Sequence, residues 1–256
     1  MIESAEYTAT SPSSANPEEI ARFAALADKW WDPNGPLKPL HALGLARLAY
    51  LRSRIDSHFG TGPETLTPLS GRTVLDVGCG GGLVSEPLAR MGGQVTAIDA
   101  ASQNIEVAKL HAEGQGLDID YRAMTAEDLL ETGVRFDMVT ALEIIEHVTD
   151  PAAFVESCAR LLKPGGLLIL STLNRTPKAW LMAIAGAEYV MRWLPRGTHD
   201  WKKFIKPSEL AAMCRQAGLD LDHQQGLVFN MVKFEWSLSD TDLDVNYLAA
   251  AHSPPE

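Results

Sequence analysis

Residues 73–82 read Thr-Val-Leu-Asp-Val-Gly-Cys-Gly-Gly-Gly, an apolar strand running straight into four glycines within five residues. Val74, Leu75 and Val77 supply the apolar run. Gly78 and Gly80 let the backbone turn sharply and approach a ligand that a Cβ would block. A helical pattern begins after Gly82 (Leu83, Val84, Leu88, Met91), and a second apolar strand, 94–98, leads to Asp99. That acid lies 21 residues after Gly78, the spacing at which a carboxylate meets a ribose in a dinucleotide-type fold. Strand, glycine turn, helix, strand and acid together predict a parallel sheet with a nucleotide-type ligand at its carboxyl end. They leave open which cofactor carries the ribose.

The alternation continues downstream. Strands are expected at 73–78, 94–99, 118–122, 136–141 and 166–172, and helices at 82–91, 103–115, 126–131 and 151–162, which specifies a sheet wound on both faces. Upstream, Pro17-Glu18-Glu19 opens a helix that Asn16 can cap. Leu40 to Ile55 repeats at helical spacing. These helices precede the first strand and are expected to form an annex, 16–60, outside the sheet core. A helix at 207–217 and strands near 219–228 and 230–236 close the chain. The 256 residues suit a single α/β domain: 1–15 disordered, the annex, a cofactor-binding core at 71–172, an insertion at 175–206, and closing elements at 207–256.

Composition removes several function classes. A net charge of −11 argues against general nucleic-acid binding. Cys79, Cys158 and Cys214 have no paired spacing, so neither a disulfide framework nor a cysteine metal site is implied, and a reducing cytoplasm fits. The N-terminus lacks a basic segment followed by an apolar stretch, and no apolar run reaches the ~20 residues of a membrane span.

Two cofactor classes use the glycine frame. For a nicotinamide dehydrogenase, Gly81 or Gly82 stands in for the third glycine. Asp76 points elsewhere: a carboxylate inside the strand, two residues before Gly78, can organise the loop and face a cationic sulfonium cofactor. With the Phe136–Thr140 strand, the Lys163-Pro164-Gly165-Gly166 turn and the strand ending Ser171-Thr172, the chain resembles the class I S-adenosylmethionine-dependent methyltransferases over about residues 71–172 plus the closing strands. The resemblance implies a doubly wound, Rossmann-like, mostly parallel seven-stranded sheet in the order 3-2-1-4-5-7-6, with the last strand antiparallel. It narrows further. Phe23 to Trp31, Lys38-Pro39-Leu40-His41, Glu143 to Val148, Ser171 to Arg175, Gly197 to Asp200, Lys203 to Pro207 and Asp244 to Tyr247 resemble the ubiquinone biosynthesis O-methyltransferase family. That resemblance implies methyl transfer to catechol hydroxyls of polyprenylated intermediates, 2-polyprenyl-6-hydroxyphenol and 3-demethylubiquinol. It also implies a peripheral place on the inner face of the cytoplasmic membrane, alongside other enzymes of the pathway.

Asp99 is expected to accept the ribose hydroxyls, the plain alternative being a cap for the next helix. Gly78 and Gly80 are expected to pass backbone along the methionine portion. Ala126 follows the third strand, where the fold places adenine contacts; Thr125 with Asp128 would equally make an ordinary helix start. Leu142 ends the fourth strand and should line the cleft. Arg47 is a cofactor contact by resemblance alone, since its own context reads as a solvated helix charge.

Glu143, Glu146 and His147 stand at i, i+3 and i+4, one face of a helix, at a strand's carboxyl end. A phenol has a pKa near ~10, so the reaction needs a base or a cation. The three residues are expected to hold a divalent ion, Mg²⁺ by the carboxylates, with Zn²⁺ or Mn²⁺ allowed by the imidazole; His147 is a ligand or a general base. The 175–206 insertion carries seven Lys/Arg against two acids. Within it, 13 of the 16 residues 179–194 are apolar. It reads as a lid, as an interfacial helix on an anionic membrane surface, or as both.

Overall fold

The computed structural model describes residues 13–182, 200–230 and 235–255. Eight strands form one sheet: β1 (Thr73–Val77), β2 (Gln94–Asp99), β3 (Asp120–Ala123), β4 (Phe136–Leu142), β5 (Leu162–Leu173), β6 (Asp220–Asn230), β7 (Glu235–Ser239) and β8 (Asn246–His252). Their order is β3-β2-β1-β4-β5-β8-β6-β7. Parallel pairing runs from β3 to β5. β8 then enters antiparallel between β5 and β6, with Leu173 opposite Asn246 and Leu227 opposite Asn246 on its two sides. The expected fold and order hold, an antiparallel strand lying between β5 and β6, but that strand is an additional one, β8, and the strand expected near 230–236 lies at the edge as β7. β8 is absent from the sequence reading because Tyr-Leu-Ala-Ala-Ala is poor in β-branched residues and carries no strand signal of its own. Burial between two neighbours decides it.

The sheet carries a helical layer on each face. On one, α6 (Ala126–Leu130), α7 (Pro151–Arg160) and α9 (Pro207–Gln216) cover Leu75, Val77, Val139 and Leu168. On the other, α3 (Gly44–Phe59), α4 (Ser85–Arg90) and α5 (Ser102–Gly114) cover Val74, Val95, Ala97 and Ile169. Strand residues alternate between these layers, as the pleat requires. Tyr50, Leu51 and Ile55 of α3 are fully buried, each stabilising the fold by about 1.5–3 kcal/mol. This corrects the expectation that the second N-terminal helix stands outside the core: α3 belongs to the sheet layer. The expected single helix is also two, α2 (Lys38–Ala42) and α3.

Before them, α1 (Pro17–Ala24) starts as anticipated, Asn16 accepting from the Glu18 N–H at 3.0 Å. A 3₁₀ turn at Ala27–Lys29 leads to Trp30, buried with Leu37 in a small cluster of its own. Residues 1–12 lie outside the described residues. Ser13 and Ser14, expected to be disordered, are instead fixed: the Ser14 hydroxyl donates to Glu127 at 2.7 Å and its carbonyl accepts from the Thr149 N–H at 2.7 Å. Of the insertion, residues 183–199, with most of the expected interfacial helix, lie outside the described residues. Its start, α8 (Pro177–Ala179), is fastened by Lys178 to Asp242 at 2.7 Å. No helix among the described residues is long and apolar enough to cross a membrane.

Candidate active site

A cavity of about 350 Å³ opens at the carboxyl ends of β1, β2 and β4, roofed by the N-terminal helices. The sequence-predicted residues Arg47, Asp76, Gly78, Gly80, Asp99, Ala126, Leu142, Glu143, Glu146 and His147 all line it.

At its floor Asp76 is buried, accepting from the hydroxyls of Ser85 at 2.6 Å and Thr140 at 2.8 Å. Burial pushes its pKa up to about 6 against these two bonds and the Arg47 charge. It thus ties the glycine turn's following helix to β4. Gly78, Gly80 and Gly82 have φ of +69°, +53° and +91°, a backbone L-residues avoid. What approaches them is the protein's own side chains. A Cβ would overlap Ile144 at Gly78, the Trp30 ring at Gly80 and Gly81, and the Tyr121 hydroxyl at Gly82. The steric demand read from the sequence is present, and the protein's own side chains meet part of it.

Asp99 fastens this turn from the neighbouring strand. One oxygen accepts from Gly80 N–H at 2.9 Å; the other accepts from Ala101 N–H at 2.9 Å and Asn104 Nδ2 at 3.1 Å. Burial raises its pKa, and these three bonds oppose the rise. The helix cap is Ala101, not Asp99. With three of roughly four lone-pair sites taken, Asp99 has room for one more hydroxyl as it stands, and a second would have to share a site. Ala126 opens α6 beneath the Thr125–Asp128 capping box, so the ordinary helix start is present and the residue lines the cavity as well. Leu142 ends β4 beside them. Arg47 is no solvated charge: it is buried, and its Nε has no partner. Burial pulls its pKa down while Glu143 and Asp76 hold it up. A buried guanidinium with an unsatisfied N–H on a cavity wall suits an anionic group.

The acidic end does not form the expected helix face. Glu143 follows β4 at φ +56°, the one described non-glycine residue with positive φ. Only a 3₁₀ turn, Ile145–His147, comes after it. The three side chains therefore diverge. The Glu143 carboxylate accepts from Ser171 Oγ at 2.6 Å and from Asn246 Nδ2 at 3.2 and 3.1 Å. Buried Glu146 accepts from Thr172 Oγ1 at 2.9 Å. His147 Nδ1 lies 3.1 Å from Glu19, and its ring meets Phe23 edge-on at 5.2 Å. Among the described residues no three such groups converge to hold a metal ion. The donor types suit a divalent cation, but this arrangement does not present them to one. Burial, and next the Glu143 charge, push the Glu146 carboxyl up to about 8. Burial alone would raise Glu19, but His147, Arg22 and Lys203 bring it below its usual value.

Sequence reasoning missed Asn246, Glu19, Trp30 and Asn104 as parts of this site. Asn246 was visible only inside a family-like motif; it is 3% exposed, and its Oδ1 is buried without a partner. Glu19 read as an ordinary first-turn acid. Trp201 and Phe204 pack with Leu173 and Ala179 and do not line the cavity, Trp201 Nε1 donating to the Thr176 carbonyl at 3.1 Å.

Comparison with known proteins now has a geometry to meet. Residues 75–170, from β1 into β5, match the family described as a methyltransferase domain. The sheet is shared with the magnesium protoporphyrin IX methyltransferase of Synechocystis PCC 6803 with bound SAM, at a TM-score of 0.59 over 94% of this chain and 100% of that one, though only 18% of residues are identical. The ubiquinone biosynthesis O-methyltransferase of Cereibacter sphaeroides is 54% identical over 94% of this chain and 98% of its own length. That of Ruegeria pomeroyi is 53% identical over 95% and 98%. Alike in about half their residues along nearly the full length of both chains, these proteins place the chain in the ubiquinone biosynthesis O-methyltransferase family.

Proposed function

We propose that this protein transfers a methyl group from S-adenosylmethionine to a catechol hydroxyl of polyprenylated ubiquinone precursors, 2-polyprenyl-6-hydroxyphenol and 3-demethylubiquinol. The observation that carries the reading is one cavity with a glycine turn and ribose-type acid at one end and a clamped carboxylate, Glu143, at the other. Asp99 takes a ribose hydroxyl, Ala126 and Leu142 flank the adenosine, and the unsatisfied Arg47 N–H takes the cofactor's carboxylate. Gly78 and Gly80 leave the turn low enough for the cofactor to cross.

The methyl group already sits on a sulfonium, so the protein has to align oxygen, methyl and sulfur and remove one proton. Glu143 is fixed by Ser171 and Asn246 to take that proton as the oxygen attacks. Glu146, with its pKa near 8, holds its own proton at neutral pH. His147, on Glu19 and lining the same cavity, is the alternative base. The buried, unpartnered Asn246 Oδ1 accepts from the adjacent catechol hydroxyl. That hydroxyl is common to both proposed substrates.

A second reading adds a divalent cation. It keeps the donor types of Glu143, Glu146 and His147, although the described arrangement does not present them together to an ion, and no step is routed through one. Such an ion, Mg²⁺ or with His147 also Zn²⁺ or Mn²⁺, would lower the phenol pKa. We further read the basic, apolar 175–206 segment as facing an anionic membrane, so that the enzyme works at the inner surface of the cytoplasmic membrane and near other enzymes of the pathway.

Methyl transfer to a prenylated catechol, with and without EDTA, tests the first two readings. Activity is expected with S-adenosylmethionine, and tight binding of NADH in place of S-adenosylhomocysteine would overturn the assignment. Indifference to EDTA would remove the cation. Flotation with anionic liposomes tests docking, and a Trp180→Glu variant that floats as well as the parent would count against it.

A further inference from the structure

The N-terminal segment does more than roof the cavity. Trp30 Nε1 donates to Oδ1 of Asn104 at 2.9 Å, a buried bond spanning 74 residues of sequence. The other end of the same amide, Nδ2, donates to Asp99 at 3.1 Å. The amide cannot be turned over, because its oxygen must face the indole N–H and its nitrogen the carboxylate. Asp99 in turn holds Gly80 N–H at 2.9 Å.

The ring of Trp30 lies on the outside of this turn, so close that neither Gly80 nor Gly81 could carry a Cβ. Trp31 grips the same turn from the other side. Its Nε1 donates to the Gly81 carbonyl at 2.9 Å, and its ring stacks on His111 of α5 at 3.4 Å and 6°. His41 Nε2 lies 2.8 Å from the Trp30 carbonyl. Two consecutive tryptophans thus strap the glycine turn to α5, and one of them reaches the ribose-type acid through a single amide.

We infer that Trp30 is a positioning residue for the cofactor: acting through Asn104, it fixes the rotamer of Asp99, so the N-terminal segment completes the adenosine site. This rests on the reading of Asp99 as the ribose acceptor. Without the indole N–H, the Asn104 amide keeps its donor toward Asp99 but loses the partner that fixes its other end, so the bond to Asp99 is held less firmly. Asp99 is also short of spare acceptor sites, so a small rotation decides whether a ribose hydroxyl finds one. The inference concerns cofactor binding alone, since none of these groups reaches the acidic end of the cavity.

Trp30→Phe keeps a ring over the glycines and removes the N–H. Calorimetry with S-adenosylhomocysteine is expected to show about fivefold weaker binding, the worth of one hydrogen bond. The KM for S-adenosylmethionine should rise in parallel, with kcat at saturating cofactor and the catechol KM unchanged. Asn104→Leu, similar in volume, removes both links and should weaken binding at least as much. Adding Trp30→Phe to it should then change nothing further. Circular dichroism and urea midpoints check that both variants fold. An affinity within twofold of the parent in Trp30→Phe, or an undiminished effect of Trp30→Phe in the Asn104→Leu background, overturns the inference. An Asp99→Ala variant that binds S-adenosylhomocysteine like the parent overturns the ribose assignment beneath it, a separate failure.

Discussion

Gly80→Ala puts the strap to a quantitative test. Gly80 has φ +53°, and an L-residue in that region costs about 1–2 kcal/mol. Its new Cβ would overlap the Trp30 ring, whose Cζ3 lies at 2.9 Å and two further atoms closer still. Trp30 is 7% exposed and bonded to Asn104, so it cannot swing away without breaking that bond. Overpacking of this kind costs about 1–3 kcal/mol. The sum is about 2–5 kcal/mol, a large share of the 5–15 kcal/mol typical of a domain's stability. Urea unfolding should show a lower midpoint with an unchanged slope. The decisive comparison is the same substitution made in a Trp30→Leu background. There the steric part disappears and about 1–2 kcal/mol of backbone cost remains, leaving a coupling of about 1–3 kcal/mol. If Gly80→Ala costs the same in both backgrounds, Trp30 is not what requires glycine, and the case for a tryptophan strap fails.

Glu143→Gln should lower kcat by about 10²–10⁴ while leaving S-adenosylhomocysteine affinity intact by calorimetry; a loss below tenfold would remove Glu143 as the base. Asn246→Ala should narrow the preference for a prenylated catechol over the matching single-hydroxyl phenol by about tenfold in kcat/KM, and an unchanged ratio would sink the second-hydroxyl contact. Stability should fall as pH rises. Burial raises Asp76 to about 6 and Glu146 to about 8, above the ordinary carboxylate values of about 4, so the folded state holds more protons than the unfolded one across those windows. The stability they allow is complete below about pH 4 and is lost as pH climbs through the two folded values. Asp137, lowered to about 2 by Lys163 and Thr73 against its burial, acts oppositely and loses stability only as pH falls below the ordinary value of about 4. His58 and His223, held below their ordinary value by burial, act the other way in the lower part of this window, so the comparison is with Glu146→Gln, whose urea midpoint should gain on the parent's between about pH 5.5 and 8.5; a variant that tracks the parent at both would refute the burial argument.

Local periodicity carried the parallel half of the sheet, because β1, β2, β4 and the second half of β5 hold apolar runs bounded by turn signals, and the helices between have cap signals such as Thr125 with Asp128. It failed at β8, where an alanine-rich segment becomes a central strand only through its two neighbours. Residue spacing also misled at Glu143, Glu146 and His147. The i, i+3, i+4 pattern describes a helix face only if a helix forms, and the left-handed Glu143 leaves room for a single 3₁₀ turn. Arg47 shows the converse limit. Nothing local separates a buried arginine from a solvated one on a helix, since the distinction is made by strands and acids far along the chain.

The glycine turn joins these lessons. From sequence, glycines between a strand and a helix mean that something comes close to the backbone, and that inference is sound. The identity of what comes close is a tertiary fact, set here by Trp30, Ile144 and Tyr121. This changes the physical role of the turn. Trp30 packs this turn and Asp99 holds it, so contacts from residues far along the chain contribute to its order. Glu143 is organised by the same logic at the far end: its uncommon backbone conformation is tolerated because Ser171 and Asn246 hold the carboxylate from two strands at once. Both ends of the cavity are fixed by residues distant in sequence from the glycine motif, and a reaction that depends on aligning three atoms in a line needs both ends fixed before either substrate arrives.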